Sequence, residues 1–189
     1  MKKLLVLFTL MFVITLSGCQ NKLEKAFNTM EEVESYRMDM TISNVPLFGT
    51  LTFTFKVDGD LSYTSNPLGG EGTYTKTVDG EEYDYILQTN GTYVLSDTPN
   101  ETNDELNSIL LDDLNYDDFE ETSKGVWELT KERIYLNDEE TEYMKDVVII
   151  LNADGYIDTI TFSMVSDGMN VDVEIDISGY NNTTVQLPE

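Results

Sequence analysis

The sequence predicts a mainly β fold of the α+β class, built on an antiparallel meander. Apolar and polar residues alternate through most of the chain, most regularly over residues 169–177, as expected for strands with one buried and one wet face. Asp-Gly or Asn-Gly pairs separate several of these runs, and such pairs are the strongest short-range signal for a hairpin. They stand at Asp79-Gly80, Asn90-Gly91, Asp154-Gly155 and Asp167-Gly168.

The first element of the domain is predicted to be a helix over residues 21–33. Apolar residues recur there at the helical period and form one stripe, and Asn21 with Glu24 has the form of a capping box. Acidic residues crowd the far end, where the helix dipole disfavours them, so we expect the helix to stop near Glu34. The stripe consists of Leu23, Ala26, Phe27, Met30 and Val33.

Strands are predicted wherever the period of two appears. The clear runs are residues 36–42, 50–57, 73–78, 83–89, 92–95, 143–151, 156–165 and 169–177, with less regular runs at 126–130 and 133–136.

One interruption of the meander is predicted to be an inserted second helix over residues 103–113. Asn103 is a plausible cap, and the apolar residues that follow it at helical spacing are Leu106, Ile109, Leu110 and Leu114. The acidic residues 115–124 are predicted to form a loop, and residues 181–189 a last short strand or an arm. Both helices are expected to cover part of the apolar face of the sheet.

The amino terminus has the form of an export signal. Lys2 and Lys3 precede an apolar run over residues 4–16, which at about 13 residues is shorter than the 20 or so that span a bilayer. Residues 1–18 are therefore predicted to be a signal peptide, and residues 19–189 a single domain. An uncleaved membrane anchor is the alternative.

The residues at the end of this leader, Leu16-Ser17-Gly18-Cys19, resemble the lipobox of bacterial lipoproteins. The resemblance implies cleavage after Gly18 and a diacylglyceryl thioether on Cys19, with palmitate or a similar chain as the acyl group. The protein would then lie on the extracytoplasmic face of the cell membrane, with the membrane as its partner. A free thiol or an intermolecular disulfide is the other interpretation of this lone cysteine.

The charge of the chain limits its partners and its chemistry. There are 36 acids and 11 bases, and removing Lys2 and Lys3 with the leader leaves nine bases and a net charge of −27. Nucleic acid is excluded as a partner because phosphate binding needs a basic face. There is no histidine, and Cys19 is assigned to lipid, so Ser–His and Cys–His dyads cannot form. Catalysis by a pair of carboxylates is the alternative that the composition leaves open, since it depends on a separation that the sequence does not give. We expect no enzyme activity and no cofactor.

The acidic residues suggest calcium without specifying a site. Asn152-Ala153-Asp154-Gly155 follows part of a calcium-loop pattern, but Ile150 stands where the pattern needs an aspartate. No metal site is predicted, and solubility or a cationic partner are the simpler interpretations of the acid. A second group of acids lies close together in the sequence and consists of Asp112, Asp113, Asp117, Asp118, Glu120 and Glu121.

The order of elements resembles the lipoprotein-carrier superfamily that includes LolA, LolB, LppX and LprG, and also uncharacterised small bacterial lipoproteins. The resemblance implies a strongly curved, incomplete antiparallel barrel whose helices cover a hollow that holds acyl chains. The stretches that match are residues 23–33, Ser35-Tyr36-Arg37-Met38, Phe48-Gly49-Thr50-Leu51, Val78-Asp79-Gly80-Glu81-Glu82-Tyr83 and Val185-Gln186-Leu187-Pro188.

Large and soft apolar side chains on the predicted strands are candidates for the wall of a lipid-binding pocket. The alternative is an ordinary core, which would make the protein a cell-surface interaction domain with a solid interior, an acidic exterior and an unknown partner. The candidate wall residues are Met38, Met40, Phe53, Phe55, Tyr74, Tyr85, Tyr93, Trp127, Phe162 and Met164.

Overall fold

A computed structural model describes residues 21–100, 114–137, 140–166 and 168–187. These residues form one curved, open antiparallel sheet of 12 strands, one helix and a short 3₁₀ turn at Tyr116–Asp118. The helix is α1 (Lys22–Glu31), and the strands are β1 (Ser35–Val45), β2 (Gly49–Asp58), β3 (Leu61–Thr64), β4 (Thr73–Val78), β5 (Glu81–Leu87), β6 (Tyr93–Leu95), β7 (Phe119–Ser123), β8 (Val126–Leu129), β9 (Ile134–Tyr135), β10 (Tyr143–Leu151), β11 (Ile157–Ser166) and β12 (Met169–Ser178).

The sheet is two meanders joined through the first and last strands. Its strand order is β6-β5-β4-β3-β2-β1-β12-β11-β10-β8-β7, with β9 also paired to β10. Pairing of β1 with β12 brings the two ends of the domain together at the centre of the sheet. The mainly β antiparallel prediction is therefore confirmed, and the predicted second helix, residues 103–113, lies outside the described residues.

A row of apolar residues crosses six strands on one face, which we call the inner face. Its members are cross-strand partners, so their side chains pack against one another directly. All but Phe53 are buried, and Ile149, Ile160 and Ile175 are at most 1% exposed. In spatial order the row is Trp127, Ile149, Ile160, Ile175, Met40 and Phe53.

Helix α1 packs on this inner face. The Asn21 side chain accepts a hydrogen bond from the Leu23 N–H at 3.0 Å, which confirms the predicted cap. Leu23 and Ala26 are fully buried in the core that β8, β10, β11 and β12 also form. The helix the structure describes is not long and apolar enough to cross a membrane.

The apolar side of the sheet changes at the boundary between β2 and β3. Phe55 on the inner face pairs with Thr64, whereas Lys56 on the opposite, outer face pairs with Tyr63. Tyr63 in turn pairs with Tyr74. We call strands β3 to β6 the wing. Its tyrosines therefore lie on the outer face, and in β3 and β4 hydroxyl side chains lie on the inner face.

Two strands appear where none was predicted. Strand β3 has only four residues, too few for alternation to be recognised. Residues 115–124 were predicted to form a loop because they are acidic, but residues 119–123 form strand β7 at the edge of the sheet. In this strand Phe119 is buried, and Glu120 and Glu121 are exposed. An edge strand can be acidic at little cost, because charge there blocks further strand pairing.

The carboxyl end forms an arm, not a strand. Val185 is buried, and its N–H donates to Asp58 Oδ2 at 3.1 Å. The N–H of Thr183 donates to Ser35 Oγ at 3.2 Å. These bonds hold the arm at the start of β1 and the end of β2. A short strand or an arm was predicted for residues 181–189, and the described residues of this segment form an arm.

Candidate functional site

The ten candidate wall residues do not share one face of the sheet. Strand pairing places seven on the inner face, but Tyr74, Tyr85 and Tyr93 lie on the outer face of the wing. The seven are Met38, Met40, Phe53, Phe55, Trp127, Phe162 and Met164. The ten therefore cannot line a single pocket.

The inner-face residues divide into a closed core and an open margin. Met40, Phe55, Trp127 and Phe162 are buried. The margin is a set of four partly buried residues on β1 and β2, which we call the β1–β2 strip. It consists of Met38, Ile42, Leu51 and Phe53.

The β1–β2 strip has a polar neighbour on the wing. The inner-face residues of β3 and β4 there are hydroxyl side chains. Thr75 is buried, and its hydroxyl donates to Asp84 Oδ1 at 3.2 Å. The inner face therefore changes from apolar to polar over one strand. The hydroxyl residues are Ser62, Thr64, Thr73 and Thr75.

The outer face of the wing carries a tyrosine cluster. The ring centroids of Tyr63 and Tyr74 are 4.9 Å apart, and those of Tyr74 and Tyr93 are 5.4 Å apart. Burial, followed by its neighbours Tyr63, Tyr93 and Glu71, raises the pKa of Tyr74. Sequence reasoning missed Tyr63 because β3 was not recognised. Gly72 leaves room for the Tyr63 ring, because a Cβ at this position would lie 2.5 Å from it. This glycine is the residue in the sequence that marks the close contact.

Three of the depressions on the described surface have volumes between about 250 and 630 Å³, and the β1–β2 strip lines none of these three. One of about 250 Å³ lies on the outer face among Thr41, Asp146, Asp172 and Glu174. A second, of about 630 Å³, is lined by residues of the carboxyl-terminal arm and by Asp58. The third, of about 590 Å³, lies beside the start of α1 and includes Lys22, Lys25 and Lys124.

The acidic residues of the described chain do not converge on a cation site. Among those residues, no three Asp, Glu or Cys side chains lie close enough together to hold a metal. The partial calcium-loop pattern instead forms a turn. The Asn152 side chain accepts the N–H groups of Asp154 at 3.0 Å and Tyr156 at 3.1 Å.

Tyr180 stabilises the junction between the arm and the sheet. Its hydroxyl donates to the Ile157 carbonyl, and its ring stacks on Tyr156 with the centroids 4.6 Å apart. Burial, followed by Asp158, Tyr36 and Tyr156, raises the pKa of Tyr180 above that of a free tyrosine.

We expect Tyr180 to make stability fall at alkaline pH. The unfolded chain releases this proton near pH 10, but the folded chain keeps it, so stability is present below pH 10 and declines as pH rises further. Replacing Tyr180 with Phe should cost about 1 kcal/mol at neutral pH through the lost hydrogen bond. Urea unfolding between pH 8 and pH 11 tests this. An alkaline decline as steep in Tyr180→Phe as in the wild type would contradict it.

No protein-family model matches the sequence, and no curated protein matches it.

Proposed function

We propose that this protein is a lipid-anchored lipoprotein of the extracytoplasmic face of the cell membrane. In this proposal it binds a lipid acyl chain or another apolar ligand along the β1–β2 strip and performs no catalysis. The observation that carries the proposal is the partial exposure of this strip beside a core whose central residues are almost fully buried.

The chemistry of the strip supports an amphiphilic ligand. Methionine, phenylalanine and branched aliphatic side chains make an adaptable apolar surface. Thr64 pairs with Phe55, which follows Phe53 of the strip along β2, and Thr64 in turn pairs with Thr73 on the same face. An acyl chain would lie on the strip, with its polar end among these hydroxyls. The proposed ligand site is thus a partly exposed apolar strip on the sheet, in place of the enclosed barrel hollow that the family resemblance implies.

The amino terminus supports the membrane location. Helix α1 begins at Lys22, three residues after Cys19, and three extended residues span about 10 Å. A domain held this close to a bilayer can exchange an apolar ligand with it. The lipobox-like Leu16-Ser17-Gly18-Cys19 is the basis for this part of the proposal.

The ligand proposal predicts a position-specific loss of binding. Replacing the cross-strand pair Ile42 and Leu51 with serine should weaken binding of an environment-sensitive fluorescent fatty acid at least tenfold. Each removed side chain forfeits about 1 kcal/mol or more of apolar contact, and 1.4 kcal/mol corresponds to tenfold. Fluorescence titration of the chain from residue 20, whose described core spans residues 23–185, measures this effect.

A matched control lies elsewhere on the same face. Ile86 and Val94 form an inner-face cross-strand pair in the wing and are 51% and 50% exposed. Serine at both positions should leave binding unchanged. Equal losses for the two pairs, or no binding by the wild-type chain, would exclude the strip as the ligand site.

A second candidate function is that of a surface interaction domain. The tip of the β1–β2 hairpin exposes Leu47 completely and Phe48 by 57%, and the positive φ of Leu47, 72°, holds it in a left-handed conformation. Such exposed apolar residues mark protein contacts. If Leu47→Ser with Phe48→Ser abolishes capture of a cell-surface protein while the Ile42 and Leu51 variant retains it, the interaction function is favoured.

A further inference from the structure

Three of the nine basic residues of the mature chain gather around one depression. Lys22 and Lys25 reach it from α1, and Lys124 reaches it from the turn between β7 and β8. Backbone and short side chains of residues 151–155 line the rest. We call Lys22, Lys25 and Lys124 the lysine patch. It stands out because the mature chain as a whole has a net charge of −27.

The lysine patch keeps a local excess of positive charge. Asp154 is the one acid among the residues that line the depression. Lys22 Nζ donates to Glu121 Oε1 at 3.1 Å, and Glu121 Oε1 also accepts the Gly125 N–H at 2.9 Å. These two bonds lower the pKa of Glu121, that from Gly125 foremost, so it stays ionised.

Two of the three lysines are available to an external anion. Neither Lys25 nor Lys124 forms an ion pair with any residue that the structure describes, and both are exposed. Lys22 is paired with Glu121 but keeps 66% of its side chain exposed. The depression of about 590 Å³ between them is large enough for a phosphate-bearing headgroup.

The lysine patch lies at the end of the sheet where the chain would meet its anchor. The Leu151 N–H donates to the Gly125 carbonyl at 2.8 Å, so the β7–β8 and β10–β11 turns lie at one end, together with the start of α1. We call this the basal end. Strand β11 starts at the basal end and its first residues pair with the end of β12, which pairs with the start of β1. The β1–β2 hairpin tip, with Leu47, therefore lies at the other end of the strands.

We infer that the basal end docks on the bilayer and that the lysine patch binds the phosphates of anionic phospholipid headgroups. This inference rests on the proposed lipid anchor at Cys19, which would hold the patch within about 10 Å of the lipid. Each lysine close to an anionic membrane surface raises the affinity of the protein for that membrane about fivefold. The repelling acidic body of the domain is screened beyond about 8 Å at physiological salt. Docking would fix the orientation of the domain on the membrane.

The sole tryptophan provides the measurement. Trp127 lies in β8, three residues after Lys124, so energy transfer from it to a dansyl-labelled lipid headgroup reports how close the basal end is to the bilayer. The acylated full protein is reconstituted in vesicles of phosphatidylcholine alone or mixed with phosphatidylglycerol. We expect greater transfer on the anionic vesicles, and loss of that excess at 1 M salt, where the screening length is about 3 Å.

Two triple variants of equal net charge isolate the position of the lysines. Lys22→Gln, Lys25→Gln and Lys124→Gln together should lower transfer on anionic vesicles to the level seen on neutral ones. The control replaces Lys56, Lys76 and Lys145, which lie on the outer face, with glutamine and should retain the excess. An equal loss in both triple variants would overturn the inference, since net charge alone would then explain the attraction.

The remaining outcomes separate the anchor from the patch and the lipid from a free anion. If the protein does not float with vesicles of either composition, the anchor and the docking both fail. If it floats but transfer is independent of lipid charge, the docking alone fails. If inorganic phosphate at constant ionic strength removes the excess transfer, the lysine patch is a site for soluble phosphate, and docking on headgroups is overturned.

Discussion

Replacing Ile160 with alanine is expected to lower the free energy of unfolding by about 2–5 kcal/mol. Ile160 is 1% exposed. It lies between Ile149 and Ile175 in the row of apolar residues that crosses six strands on the inner face. Removing its side chain would leave a cavity. The neighbouring side chains cannot fill it, because hydrogen bonds between β10, β11 and β12 hold their backbones in place. Since small domains are stable by about 5–15 kcal/mol, this one change should remove a large part of the total.

The fluorescence of Trp127 measures this loss, because Trp127 is buried and belongs to the same row. Urea unfolding of the chain from residue 20, followed at this residue, gives both the midpoint and the slope. The matched control is Ile86→Ala, which also replaces an inner-face isoleucine but one that is 51% exposed, and should cost less than about 0.5 kcal/mol. Similar losses for the two variants would show that the wing, and not the row, limits stability.

The meander could be predicted because the sheet has one wet face along most of its length. Strand β12 alternates buried Val171, Val173, Ile175 and Ile177 with exposed acids, so its period is visible without any neighbour. The Asp79-Gly80 turn could be predicted for a similarly local reason. Both of its residues have positive φ, 54° and 86°, as the tight hairpin turn requires.

The change of apolar side between β2 and β3 could not be predicted from alternation. Within one strand, alternation shows which residues share a face, but it does not show which face of the sheet that is. The pairing of Asp58 with Leu61 across the turn decides this, and it aligns Tyr63 with Lys56. One residue of shift in that turn would have placed the tyrosines with Phe55, as the pocket hypothesis assumed.

The lysine patch could be predicted only in part. Lys22 and Lys25 follow Cys19 closely in the sequence, which places two basic residues next to the expected anchor, but Lys124 is about a hundred positions away and nothing local links it to them. The fold brings them together because α1 packs over the inner face and its first turn reaches the β7–β8 turn. The Lys22–Glu121 ion pair shows that the two segments are in direct contact. Patterns within a segment predict elements, but a site built from two segments needs the sheet order.

Replacing Cys19 with serine is expected to abolish acylation of the protein. The thioether can form only on a cysteine sulfur, and Cys19 is the only cysteine in the chain. Labelled palmitate should therefore be incorporated into the wild type and not into Cys19→Ser. If cleavage follows lipidation, as the lipobox-like residues imply, the variant should also retain residues 1–18, which intact-mass measurement detects. Ser17→Ala, which keeps a small residue and the thiol, is the matched control and should be labelled normally.

The chain from residue 20 determines how much the acyl chains contribute to membrane attachment. Two acyl chains hold a protein stably on a bilayer, whereas one binds only marginally, so the lysine patch alone should not retain the domain. Chain from residue 20, which has neither leader nor thiol, should therefore remain in the soluble fraction at physiological salt. Continued palmitate incorporation in Cys19→Ser would contradict the proposal that Cys19 carries the lipid anchor. Retention of the unacylated chain on anionic membranes would instead mean that the basal lysines suffice.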